Sequence, residues 1–199
     1  MSVHAAVDEG EAMKTILTAT LLLAATSAFA QTTQQPPANP LGTYLKNAET
    51  TVQTNISKSA DKFAEADYGF RPSGIATEVR TFGQFLGHIA DSNYFYCSRA
   101  KGEANPNKAQ IEKTVTAKAD LVKALAESFA YCDTVYGSLT DAKLTETITV
   151  PGPNNTTRQI ARGQVLIANL AHNNEHYGNL VTYMRAKNIV PPSSERSSQ

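Results

Sequence analysis

ANLAHNNEHYGNLVTYMRAK, residues 168–187, is the stretch on which the reading of this chain turns. It reads as helix, and it places His172 and His176 four residues apart. At 3.6 residues per turn such a pair lies on one face, one side chain above the other, so two imidazoles can share one metal ion. A third ligand must come from elsewhere. The candidate is His88 in TFGQFLGHIADSNYFY, a second helical segment; the only other histidine is His4, in a part of the chain expected to be removed. Three neutral imidazoles are a common open-site set for zinc, with nickel or iron as alternatives. Without a Glu in the HExxH arrangement, the pair taken alone also fits surface or hydrogen-bonded core histidines.

Around this stretch, apolar residues recur at three- and four-residue steps in four segments. Leu41 to about Phe63 carries Leu45, Val52 and Ile56; Glu78 to Arg99 follows Thr77 and carries Phe82, Phe85, Leu86 and Ile89. Lys108 to Tyr136 carries Ile111, Val115, Leu125 and Phe129, and Gln159 to Lys187 completes the set. Thr145 to Arg158, TETITVPGPNNTTR, has a β-branched run and a Pro-Gly-Pro-Asn-Asn turn, which predicts a short extended arm or hairpin before the last helix. The expected fold is therefore all-α, a four-helix bundle with a long crossover connection.

Forty-one per cent hydrophobic and 18% charged residues in 199 place the chain among globular proteins with one core. Met13-Lys14 followed by ILTATLLLAATSAFA has the plan of a bacterial signal peptide cut after Ala30, and Met13 is the expected start. The predicted organisation is 1–30 extension and leader, 31–40 flexible linker, 41–194 bundle and 195–199 polar tail. Export to the periplasm or outside follows, with no stable membrane anchor after cleavage. Cleavage removes Lys14 with Asp8, Glu9 and Glu11, which leaves 17 basic and 15 acidic residues. That near balance gives no electrostatic case for nucleic acid. Cys97 and Cys132 remain, an even count that permits one disulfide in an exported protein; two buried thiols are the alternative.

With these residues in view, the chain resembles the DinB-like superfamily of four-helix bundles, over roughly Leu41 to Ser194. The likeness is carried by Gly83-Gln84-Phe85-Leu86-Gly87-His88-Ile89-Ala90, by the His172–His176 pair, and by the closing Tyr183-Met184-Arg185-Ala186-Lys187-Asn188-Ile189-Val190-Pro191-Pro192. Asn188 stands where the family often has Gly, and Asn also tolerates the left-handed C-cap conformation. The resemblance implies a divalent metal on His88, His172 and His176. The family's activities are mixed and include thiol-dependent transferases and isomerases.

Three functional readings follow. In a metal-dependent hydrolase, the three histidines leave room on the ion for a water whose pKa the metal lowers. In a non-catalytic binding module, the ion only fixes two helices together. A thiol-dependent transferase is the third, disfavoured because such thiol cofactors are mainly cytoplasmic. Asn169, Asn173, Tyr94 and Tyr177 are the candidate pocket-lining residues; Asp91 either orients His88 or is solvated, and Glu175 is expected to face solvent. The expected partner is a small-molecule substrate or ligand, and a homodimer is allowed by the fold without being specified by the sequence.

Overall fold

The computed structural model describes residues 38–74 and 76–195. The leader 1–30, most of the 31–40 linker and all but Glu195 of the 195–199 tail lie outside them.

Four long helices carry the architecture: α1 (Pro40–Lys62), α2 (Phe82–Lys101), α4 (Lys118–Tyr136) and α6 (Arg162–Ala186). Two short ones, α3 (Ile111–Thr114) and α5 (Asp141–Thr145), sit in the connections. A two-stranded antiparallel hairpin, β1 (Thr147–Pro151) with β2 (Thr157–Ala161), is the predicted arm, in the register Ile148 opposite Ile160 and Val150 opposite Arg158. This is the expected helical bundle. No helix among the described residues is long and apolar enough to cross a membrane.

The start of α2 differs from the expectation for a local reason. Thr81 is its N-cap, its hydroxyl accepting from Gln84 N–H while the Gln84 side chain accepts from Thr81 N–H. The next two amides, of Phe82 and Gly83, donate back to the carbonyls of Phe70 and Tyr68. Residues 78–80 are therefore held in the loop although the apolar pattern runs through them.

The expected helix from Lys108 to Tyr136 is broken in two. Asp91 on α2 accepts from the amides of Ile111 (2.8 Å) and Glu112 (3.0 Å), capping α3 from outside. Val115 is extended (φ −111°, ψ 126°), and α4 starts afresh at Lys118. β2 likewise takes Gln159 to Ala161 from the expected fourth helix. Asn188 adopts the left-handed conformation (φ 58°) just past α6, as its place in the closing motif predicts.

One apolar cluster gathers Ile56, Phe82, Leu86, Ile89, Leu125, Leu180 and Met184. A second gathers Cys97, Cys132, Tyr136, Val150 and Leu166. Cys97 and Cys132 form a disulfide joining α2 to α4, with Cα atoms 5.3 Å apart. Along α2 and α6, fully buried polar residues lie between the two clusters. Asn93 accepts from the amides of Asn169 and Asn173 (both 3.0 Å) and donates to Ser128 Oγ (3.1 Å). Asn173 also donates to Glu49 Oε1 (3.1 Å), and the Tyr136 hydroxyl lies 3.0 Å from Asn169 Oδ1. Buried amides must be paired in this way or the fold loses their desolvation energy.

Candidate metal centre

His172 and His176, one turn apart on α6, face His88 on α2. His172 Nε2 lies 3.0 Å from His88 Nε2 and 3.1 Å from His176 Nε2. An ion about 2.0–2.1 Å from each nitrogen sets neighbouring nitrogens about 2.9 Å apart at right angles and about 3.3 Å apart in a tetrahedron. The two spacings from His172 fall between these, and all three ligand nitrogens lie within 4.8 Å of one another. Among the described residues, no fourth His, Cys, Asp or Glu joins the group.

The proton positions follow from what lies behind each ring. His88 Nδ1 is 2.9 Å from Glu112 Oε2 and 3.2 Å from Arg80 Nη2; the shorter contact is to an acceptor-only carboxylate, which favours a proton on Nδ1 and leaves Nε2 its lone pair. His176 Nδ1 is 3.2 Å from the Asn179 amide, whose ends interchange by a half-turn, so its oxygen can accept the Nδ1 proton there. Burial, followed by the facing His172 and His88 rings, pushes His176 down to about 3. Burial and then His88 lower His172 as well. At neutral pH these two rings are neutral. Two lone pairs then face a third nitrogen, an arrangement with too few protons to satisfy it and one that a cation at the focus would satisfy. The donor set fits a divalent metal of the zinc, nickel or iron type and does not distinguish among them.

Glu112 was not legible as a site residue. Burial alone would raise its carboxyl, but the hydrogen bond and charge of Arg80 and the hydrogen bond from His88 hold it below its ordinary value. Arg80 Nε donates to Glu112 Oε1 at 2.8 Å. The Arg80 carbonyl accepts from the Tyr183 hydroxyl at 2.6 Å, tying this arm to α6. Asp91 neither orients His88 nor is left to solvent: by capping α3 it fixes the backbone that carries Glu112. Close approach requires Gly87, where a Cβ would stand 2.7 Å from Glu112 Cα.

The candidate pocket residues are placed elsewhere. Asn169 and Asn173 belong to the buried amide cluster, because one residue along a helix is a 100° rotation and turns Asn173 from the His172 face into the core. Tyr94 packs on Tyr131 (5.4 Å between centroids) and borders a groove with Pro106 and Lys108. The Tyr177 hydroxyl donates to Ser193 Oγ at 2.8 Å and accepts the Ser193 N–H at 2.9 Å, pinning the chain after α6. Glu175 is exposed. The ring that does pack on His172 is Tyr96, at 5.7 Å between centroids.

The comparisons agree with this architecture. A DinB-like protein from Bacillus cereus ATCC 10987 is 18% identical, with TM-score 0.59 over 74% of this chain and 93% of that one. A DinB-like protein from Bacillus subtilis is 20% identical, with TM-score 0.55 over 77% and 99%. A mycothiol-dependent maleylpyruvate isomerase, solved as a point mutant, is 13% identical, with TM-score 0.54 over 70% and 60%. At such identities these likenesses establish the fold alone. No curated protein matches the sequence. The DinB superfamily profile matches residues 50–180, most of the bundle and all three converging histidines. The chain belongs to the DinB superfamily.

Proposed function

We propose that this protein is an exported DinB-superfamily metalloprotein that holds a divalent ion, zinc first, on His88, His172 and His176 and uses it for hydrolysis. The observation that carries the reading is the convergence of three imidazole nitrogens from two helices within 4.8 Å, His172 Nε2 standing 3.0 and 3.1 Å from the other two, with no fourth protein ligand among the described residues. The ion would supply Lewis acidity and lower the pKa of water at its open positions. The chain's own part is to present three lone pairs. Glu112 keeps the His88 proton on Nδ1, Arg80 keeps Glu112 ionised, and burial keeps His176 neutral. The Cys97–Cys132 disulfide supports export, since such bonds persist in oxidising compartments.

A non-catalytic, metal-stabilised binding module is the second reading. It is favoured by the absence, among the described residues, of a carboxylate in the three-histidine group. The mycothiol-dependent neighbour keeps a thiol-dependent transferase in third place. Elemental analysis of protein from its native compartment, followed by ester, amide and phosphoester substrates with and without chelator, separates them. Stoichiometric metal with chelator-sensitive turnover is expected. Stoichiometric metal with no turnover on any class favours the binding module, and an absence of metal rejects both.

A further inference from the structure

Tyr96, the aromatic neighbour of His172, also lines a cavity of about 260 Å³ formed by α2, α6 and the hairpin. Arg99 and Arg158 border the same cavity, with Gln164 beside them. Ala168, also in its wall, precedes His172 by one turn, so the cavity begins about 6 Å along α6 from the histidine pair.

Two positively charged side chains thus line one small space, Arg158 at an exposed position, and an anion held there would be attracted by both. The carboxylates at hand are engaged: Glu103 is held by Lys101 at 2.9 Å and Glu146 by Arg162 at 3.0 Å. Among the described residues, neither Arg99 nor Arg158 has an ion-pair partner. Arg99 stacks over the Phe95 ring (3.9 Å to the centroid), which fixes its plane and leaves its N–H groups available. The last turn of α2 favours a cation at Arg99 through the helix dipole, but that accounts for nothing at Arg158, on the hairpin. Val150, Ile160 and Val165 give the remaining wall an apolar character.

We propose that this cavity is the anion subsite of the metal centre, receiving a carboxylate or phosphoryl group of the substrate while the reactive bond lies at the three histidines. The inference rests on the metal-centre reading and adds a substrate class: small acids whose anionic group stands roughly 6–12 Å from the bond that reacts, joined by a short apolar spacer.

The test is calorimetric titration of the cobalt(II)-loaded protein with α,ω-dicarboxylates from succinate to suberate, with acetate as the single-anion control. A dicarboxylate that reaches both sites should bind about tenfold or more tighter than acetate, with a best length inside the series. Arg99→Gln with Arg158→Gln should remove that preference while leaving the unliganded cobalt spectrum unchanged, which reports an intact centre. Arg158→Gln alone, at an exposed strand position, should weaken the best dicarboxylate in the same direction. A matched series of ω-phosphonocarboxylates identifies the preferred anion as whichever series binds tighter. Dicarboxylates no tighter than acetate, or a double variant that keeps the preference, would overturn the subsite. If the chain takes up no cobalt, the metal reading fails separately. Titration of the metal-free protein with inorganic phosphate, followed at the Arg99 and Arg158 Nε–H resonances, then decides the subsite, and unmoved resonances reject it.

Discussion

Gly87 on α2 and Glu112 on α3 approach so closely that a methyl group at Gly87 would stand 2.7 Å from Glu112 Cα and 2.9 Å from its nitrogen. The carboxylate that orients His88 is therefore delivered by backbone contact. Gly87→Ala should push α3 away and break the 2.9 Å Glu112–His88 contact while leaving α2 helical. A loss of roughly 10–100-fold in metal affinity, matched by Glu112→Gln, is expected from titration against a competing chelator. Unchanged affinity in both variants would remove Glu112 from the site.

His88→Ala, His172→Ala and His176→Ala each delete one of three ligands at a point where no fourth protein ligand stands among the described residues. Each should abolish stoichiometric metal binding while far-UV circular dichroism stays close to native. The helices are held by the two apolar clusters, not by the imidazoles. Full-affinity binding retained in the His172 and His176 variants rejects the assignment.

Glu49 is 1% exposed, and burial first, then Asp133, raise its carboxyl to about 7, against the lowering hydrogen bond from Asn173. A folded-state pKa above the unfolded value means that stability is fully present below about 4.5 and is lost as pH rises through about 7. Glu49→Gln removes that ionisation. Its amide can also donate toward the Asn173 Oδ1 that otherwise has no partner. The variant should gain on the order of 1–3 kcal/mol over the native protein at pH 8 and much less at pH 4.5, read from urea denaturation. An equal difference at both pH values would refute the buried titration.

His176 acts with the opposite sign. Its folded-state value of about 3 lies below the ordinary 6.5, so in metal-free protein its contribution is present above 6.5 and fades as pH falls toward 3. His176→Gln should flatten the acid limb of the stability profile, measured by thermal melts in chelator. An acid limb of unchanged slope would contradict the lowered value.

The disulfide closes a sequence separation of 35 residues. Native protein should be two hydrogens lighter than its reduced form and carry no alkylatable thiol. Cys97→Ala with Cys132→Ala should cost about 3–4 kcal/mol of stability by the chain-entropy estimate, seen in denaturant melts without reductant.

The four long helices were legible because their apolar spacing is set by burial on one face, and that spacing is a local property of the chain. The break before Lys118 was not. Ile111, Val115 and Val122 continue the helical period, whereas the placement of α3 is fixed by Asp91, which takes the Ile111 and Glu112 amides from 20 and 21 residues away. The same distance effect hid Glu112, 24 residues from His88 in a segment with no motif of its own. The histidines were found because two lie in one helix at ligand spacing and the third sits in a motif shared with the family. Asn169 and Asn173 looked like pocket residues by their nearness to His172 in the chain. Their side chains instead meet Asn93 and Glu49, from helices whose register no local pattern specifies.

Helix α2 is gripped at two points by different neighbours. Near its first turns His88 meets α6, and nine residues on Cys97 is bonded to α4. One fastening is covalent and answers to reductant; the other would be coordinative and answer to chelator. With both engaged, α2 cannot peel away from one end while staying attached at the other. With metal bound, freeing α2 at both points would take reductant and chelator together.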